Sequence, residues 1–376
     1  MSQINVRNIS NENDDGAPDI VGVSTFSATS YFVPPKGTTA QRPTNPQPGE
    51  LRFNTDTASL EYFKEDTLNW SQIEMTSPDI NGGARALQMG GSISSTNYNV
   101  IDYITVSTLG NMADFGDLTV ARASLTSLSS RTRAIAAGGY VTAVNTTMDY
   151  VTISSTGNAI DFGDVFNSTH TYAAAGTGDQ TRGLFGGGLK LPSPYTVTDD
   201  IGYNTIATLG NAVVFGNLTD GRSDFAALNS STRSVWAGGY NIPGVTNIVD
   251  YVTTQTLGNA SDFGDLVRAG CNNDGGCSNS TRGLISGNRS SPATNSIEYI
   301  TIATLGNATD FGDLPWVGDY GCATSGGTRG IMIQGSGGNA ISYVNILSTG
   351  NATDFGDQTL ATNKYATACS NAHGGL

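Results

Sequence analysis

Five D-F-G-D motifs begin at Asp114, Asp161, Asp262, Asp310 and Asp354, and a related copy reads V-F-G-N from Val214. Carboxylates at this spacing suggest repeated calcium loops or an acid–base site. Calcium takes about six to eight oxygens, more than a lone D-x-x-D supplies. An acid–base enzyme needs its carboxylates once, not in every copy. Turn chemistry accounts for the motif more simply: Asp caps its own backbone and Gly takes a conformation that a Cβ forbids. No Gly-rich phosphate loop with a lysine strand accompanies the motif, so it is not the kinase magnesium element. Six arginines, Arg85, Arg133, Arg182, Arg233, Arg282 and Arg329, recur in the same way. They would either line an anion site or tie each hairpin to a neighbouring carboxylate or carbonyl. The two histidines, His170 and His373, sit at unrelated positions, so no copper-oxidase cluster or Ser/His/Asp arrangement can be assembled. No sialidase S-x-D-x-G-x-x-W box is present. The residues predict no enzyme, no cofactor and no metal site.

The arginines are spaced by 48, 49, 51, 49 and 47 residues, each opening a copy of T-R-G-L-F-G-G-G, a loop and I-D-Y-I-T-I-A-T-L-G-N-A-T-D-F-G-D-L. A period of about 50 with short strands predicts one four-stranded propeller blade per copy. The first copy lacks an inner strand, and Lys364–Leu376 carries an inner strand without a blade. Ring closure by the C-terminal strand near Ala366–Ser370 resolves both, giving an all-β, six-bladed propeller over 79–376 and no open edges. From the D-Y position to the D of D-F-G-D the spacing is 12 in every copy, while from Arg to the D-Y position it is 17, 16, 20, 17, 16 and 13. Loop variation therefore belongs to one face, where scaffold-held loops tend to bind. Tyr98, Tyr140, Tyr195, Tyr240, Trp316 and Tyr320 lie on that face's loops, and aromatic rings beside Asn and Asp suit sugar surfaces. The competing reading has these rings stiffening the loops. The opposite face repeats L-G-N or T-G-N turns, a uniform surface for docking or solvent.

Net charge is −14 and the pI is about 4.4, which disfavours nucleic acid and anionic lipid as partners. No apolar run reaches the roughly 20 residues of a membrane span, and MSQINVRNIS shows no signal-peptide core. Cys277 and Cys369 occupy positions held elsewhere by Leu128 and Leu228 and read as buried hydrophobes. A Cys271–Cys277 loop closure is the alternative. N-x-S/T sequons such as Asn167-Ser168-Thr169 and Asn307-Ala308-Thr309 read as turn chemistry.

Residues 1–78 depart from the repeat and hold 7 of the 12 prolines. After the extended stretch VPPKGTTAQRPTNPQPG, a hairpin is predicted from Glu50–Asp56 and Leu60–Phe63, with a third strand at Trp70. So small a unit is marginal alone, so Phe53, Tyr62, Phe63 and Trp70 are expected to pack on a partner and drive attachment or oligomerisation.

The paired glycines Gly138–Gly139 and Gly238–Gly239, the aromatics Tyr103, Tyr150, Tyr251 and Tyr299, and Arg122, Arg222 and Arg268 before the inner strand make 80–376 resemble a divergent kelch blade array, without the usual Trp. The strings MSQINVRNI, DIVGVSTFSATSYFVPP and GTTAQRPTNPQPGELRFNTDTASLEYF resemble the head of virion structural proteins of tailed phages, marine cyanophages above all. That resemblance implies a tail-fibre, baseplate or neck appendage, commonly trimeric, assembled in the host cytoplasm into the virion beside other virion proteins. With it, the propeller is expected to bind a host glycan or surface protein. The alternative is a structural decoration protein that binds only neighbouring virion subunits. A carbohydrate-active enzyme is a third class, for which the repeats supply no catalytic set.

Overall fold

The computed structural model describes residues 34–56, 59–64, 69–72, 84–165, 173–190, 195–242, 244–270, 275–288, 293–317 and 320–376. The first 33 residues, His170, Cys271 and the Asn167 sequon lie outside them. The chain divides into two compact units, Met1–Pro78 and Asp79–Leu376.

In the first unit, Leu51–Asn54 and Ser59–Phe63 form the hairpin, Trp70–Gln72 adds an antiparallel third strand, and Lys36–Gly37 adds a parallel fourth. The period-2 alternation puts Arg52, Asn54, Glu61 and Phe63 on one face. That face is buried and polar. Glu61 is fully buried, and Arg42 forks onto it at 3.2 and 2.6 Å, with Asn54 Nδ2 donating at 3.1 Å. The Arg42 hydrogen bonds hold the Glu61 carboxyl below its ordinary range, against the opposing effect of burial. Phe63 packs on Trp70, with ring centroids 5.6 Å apart. These two residues therefore have a partner within the unit, contrary to the sequence expectation. Phe53 and Tyr62 lie on the other face with Leu51 and Leu60, all only partly buried or exposed.

Among the described residues, the second unit shows six four-stranded antiparallel sheets, propeller-like in arrangement. The second sheet, for example, runs Thr126–Ser129, Arg133–Ala137, Thr147–Thr152 and Ile160–Asp164 from inner to outer strand. The inner strands neighbour one another in cyclic order. Thr367–Ser370 pairs antiparallel with Arg85–Met89, setting Cys369 opposite Leu87, and so completes the sheet of Val100–Thr105 and Ala113–Asp117. The core lies between successive sheets rather than at one centre: Leu87, Met89, Ile101 and Phe115 of the first sheet pack against Leu125, Ala134, Ala136 and Val151 of the second. The second strands are buried on both faces, which is why they read as unbroken apolar runs rather than alternating ones.

The repeated motifs turn out to be the fastening between sheets. Each ring arginine lies over the tyrosine of its own third strand, for instance Arg133 over Tyr150 at 4.3 Å, and that tyrosine meets the D-F-G-D phenylalanine edge-on, Tyr150 to Phe162 at 6.0 Å. The guanidinium then donates to a carbonyl of the next sheet: Arg85 to Ile153, Arg133 to Ile206, Arg182 to Thr254, Arg233 to Ile302, Arg282 to Ile346 and Arg329 to Val106, at 2.7–3.1 Å. The last of these closes the circle. Of the two readings of the arginines, the tie to a carbonyl is the one observed.

D-F-G-D is not a turn. It is the outer strand itself, with the first Asp exposed and Phe buried. The neighbouring sheet's G-N-A segment lies along it: Gly157 N–H donates to Phe115 O at 2.8 Å, Ala159 N–H to Asp117 O at 2.8 Å, and Asp117 N–H donates to Asn158 Oδ1 at 3.1 Å. A Cβ on Gly116 would stand 2.4 Å from the Gly157 carbonyl oxygen, so the motif keeps Gly for close approach. The outer edges are thus covered by a neighbour's turn, which blocks edge-to-edge association.

Candidate functional site

The variable loops join second to third strands and share one end of the unit with the loops that lead from each outer strand to the next inner strand. The latter loops are anchored from beneath. Arg122 reaches Asp149 at 2.8 Å and Arg222 reaches Asp250 at 2.9 Å, all four side chains fully buried. Burial lowers both guanidinium pKa values, and the adjacent carboxylates offset part of that. Glu298 replaces the aspartate in the fifth sheet and accepts from Val267 N–H at 2.8 Å; burial raises its carboxyl pKa.

Among the described residues, the chain turns through the left-handed region just before five of the inner strands. Ser124, Ala173, Asp224, Tyr320 and Tyr365 have φ of 52, 57, 56, 61 and 59°. Their backbones bond to one another around the axis: Ser124 N–H to Tyr365 O at 2.8 Å, Ala173 to Ser124 at 3.0 Å, Asp224 to Ala173 at 3.0 Å and Tyr365 to Tyr320 at 3.3 Å. Non-glycine residues held in this region mark a place where surrounding structure outweighs local strain. The result is a rim at the axial mouth. On one side the Tyr320 and Tyr365 rings lie 4.3 Å apart, tilted by 48°, with Lys364 Nζ 5.4 Å from the Tyr320 ring; on the rim also stands Asp224, accepting from Ser223 Oγ at 2.9 Å.

The predicted aromatics do not gather into one cluster. Tyr320 is at the axial mouth, beside Tyr365, which sequence reasoning missed; its signal was the K-Y before the last inner strand. Tyr140 and Tyr240 bridge to Ala123 and Ser223 through their backbones. Tyr98 belongs to a loop that docks on Tyr140 through Asn97 Nδ2, which donates to the Tyr140 carbonyl at 3.0 Å. Tyr195 is 59 % exposed, on a small hairpin of Leu189–Lys190 and Thr196–Val197. Trp316 is partly buried and packs against the core of the fifth and sixth sheets.

The opposite axial end is sealed. A hydroxyl ladder circles it: Ser129 Oγ donates to Ser370 O at 2.7 Å, Ser370 Oγ to Ser325 O, Ser325 Oγ to Ser278 O at 2.6 Å, and Ser278 Oγ to Asn229 Oδ1 at 2.8 Å. These serines were also missed; their signal is the recurring small polar residue that ends each inner strand. The last residues then cross the end. Any Cβ at Gly374 would lie 2.3 and 2.4 Å from the Asn279 and Asn229 carbonyls, so only Gly fits there. Along the axis lies a cavity of about 50 Å³ lined by Ser, Thr, Gly and Ala together with Leu128, Asn229, Cys277, Cys369 and His373. Burial pushes both thiols up to about 12, which makes them inert packing groups. A roomier recess, about 260 Å³, belongs to the first unit and is lined by Pro35, Leu51, Arg52 and Trp70 among others.

His373 reports on this seal. Gly375 N–H donates to Nδ1 at 3.1 Å and Nε2 faces the Ser129 carbonyl at 2.9 Å, which together select the neutral ring protonated at Nε2. Burial lowers its pKa to about 4; the Ser129 carbonyl and Asp179 oppose the shift and Arg131 reinforces it. The unfolded chain takes up a proton near pH 6.5 that the native ring refuses until about pH 4. Stability is therefore expected to fall as pH drops between those values, by at most about 3 kcal/mol. Asp102 and Glu298, whose folded pKa values are raised, contribute with the opposite sign. The contribution of His373 is read as the difference in urea midpoint between pH 7 and 4.5 for the wild type against His373→Gln, which should lose most of it. An identical pH slope in both proteins would contradict the assignment.

Among the described residues no group of three or more His, Cys, Asp or Glu could hold a metal, and no helix is long and apolar enough to cross a membrane. No family model matches the chain, and no curated protein matches it. Among solved structures, one described as "Structure of YjhT" superposes with a TM-score of 0.54 at 11% identity, covering 71% of this chain and 96% of that chain. At that identity the likeness shows the fold alone, an all-β, propeller-like architecture.

Proposed function

We propose that this chain is a non-enzymatic virion appendage protein, in which residues 1–78 attach or oligomerise and a six-bladed, kelch-like propeller is displayed outward. The observation that carries the binding half is the contrast between the two axial ends. One is sealed by the Ser ladder and the last residues, and the other presents a strained rim with Tyr320, Tyr365, Lys364 and Asp224. Paired phenol faces with an ammonium beside them and a carboxylate elsewhere on the rim offer apolar area with directional hydrogen bonds, the combination that recognises a sugar ring. The attachment half is supported by the half-exposed apolar face of Leu51, Phe53, Leu60 and Tyr62, which suits another copy or a virion protein. A second reading, a decoration protein bound only to neighbouring subunits, is favoured by the exposed leucines Leu109, Leu209, Leu257 and Leu305 on the opposite face.

The test is competition for host adsorption by the full chain. Asn tolerates left-handed backbone, so Tyr320→Asn with Tyr365→Asn removes the rings without adding strain. That variant should lose at least about tenfold in competing power, a change of about 1.4 kcal/mol, with its melting midpoint little altered. Full competition by a folded variant would leave the rim without a receptor role and favour the decoration reading.

A further inference from the structure

The third-strand position opposite Ala136 and Trp236 carries Asp149 and Asp250, each neutralised by a buried arginine. The pocket around that guanidinium is made of oxygens. Arg122 Nη1 meets Asp149 Oδ2 at 2.8 Å and the Val120 carbonyl at 3.4 Å, and Nη2 meets the Ala136 carbonyl at 3.2 Å. In the fourth sheet, Arg222 meets Asp250 and the carbonyls of Asp220 and Trp236 in the same way.

Carboxylate and cation go together around the ring, with one exception. Where the third strand carries Gly202 or Ser342, the residue four before the inner strand is Thr171 or Gly318, so both charges are missing. Glu298 has Arg268 beside it. Asp102 is the exception. It faces Gln88 in the register where Asp149 faces Ala136, and it accepts from Thr359 Oγ1 as Asp149 accepts from Thr119 Oγ1. Yet the residue four before its inner strand is Asn363. Asn363 spends its amide N–H on the Gly90 carbonyl at 3.0 Å. Two oxygens are left buried without a partner, Asp102 Oδ1 and Asn363 Oδ1, on side chains whose residues are each 4% exposed.

We propose that the pocket between the sixth and first sheets binds one hard cation of the sodium or calcium class, in the place that a guanidinium holds in the second and fourth sheets. Asp102 Oδ1 would be its anionic ligand, with the Gln88 carbonyl opposite in the register that Ala136 holds in the second sheet. All these donors are oxygen, which suits sodium or calcium and not zinc or copper. A buried carboxylate with no opposite charge is costly, and one cation removes that cost. Burial, reinforced by the Asp114 carboxylate, otherwise raises the Asp102 pKa, the Thr359 hydrogen bond notwithstanding.

The test uses the full chain exchanged into a tetramethylammonium buffer, whose alkylated cation cannot accept coordination from carboxylate and carbonyl oxygens. Sodium chloride or millimolar calcium chloride, at constant ionic strength, should raise the melting midpoint by about 2–6 °C. The arm that responds at lower concentration identifies the ion. Asp102→Asn should abolish the response. Asn363→Arg, which supplies the missing guanidinium, should raise the midpoint in tetramethylammonium and remove the response. A wild type indifferent to all three cations would overturn the proposal, as would a response that survives Asp102→Asn. If Asn363→Arg does not fold, the wild-type and Asp102→Asn responses decide alone.

Discussion

Removing Lys364–Leu376 is expected to abolish soluble folding of the second unit. The deletion takes away Thr367–Ser370, the inner strand of the first sheet, and leaves the edge of Arg85–Met89 unpaired with Leu87 and Met89 uncovered. It also breaks the Ser ladder at Ser370 and removes the Tyr365 link of the axial rim. An exposed apolar strand edge pairs readily with another chain, so the product should aggregate. A milder deletion of Asn371–Leu376 keeps the strand and separates the two roles. It loses the Arg85–Asn371 backbone and side-chain bonds at 3.2 and 2.8 Å, the Gly327–Ala372 bond at 2.9 Å and the His373 contact. At about 1 kcal/mol each, these amount to about 3–4 kcal/mol, or a midpoint lowered by roughly 5–8 °C. Size-exclusion chromatography with thermal melting distinguishes the two variants. A soluble, cooperatively melting Lys364–Leu376 deletion would show that the ring does not depend on closure.

The second large effect lies under the variable loops. Arg122→Met should destabilise the unit by about 3–5 kcal/mol, because it leaves Asp149 buried with no opposite charge. Part of the loss belongs to the Ala136 and Val120 carbonyls, which also lose their donor. Adding Asp149→Leu to Arg122→Met should recover most of the loss, since the penalty arises from the orphaned charge rather than from the absence of the pair. Chemical unfolding of the four proteins completes the cycle. A double variant as unstable as the single would assign the effect to packing of the arginine stem instead.

The architecture was legible because its signals are periodic. The arginine spacing, the constant 12-residue interval and the unpaired inner strand are all properties of the order of residues. The partners of the repeated motifs were not legible, because they lie in the next sheet. D-F-G-D has the composition of a turn when read locally. It becomes a strand because the neighbour's G-N-A segment hydrogen-bonds along it, some 40 residues away in sequence. The ring arginines likewise satisfy a carbonyl 64–73 residues on, or 223 where the circle closes. The aromatic residues show the same limit. Trp316 and Tyr320 are four residues apart in one loop, yet one packs on the core and the other stands at the axial mouth. In the first unit, alternation correctly separates Phe53 from Phe63, but no local rule shows that the buried face is the one carrying Glu61 and Arg52.

The proposed role requires that the chain sit on the outside of the particle with the Tyr320–Tyr365 end displayed. Purified particles can be imaged by electron microscopy after labelling with antibody fragments raised against the second unit. Fragments that recognise the Tyr320–Tyr365 rim should decorate an external appendage and block adsorption. Particles that carry no label, or a chain absent from the purified virion altogether, would contradict the appendage reading.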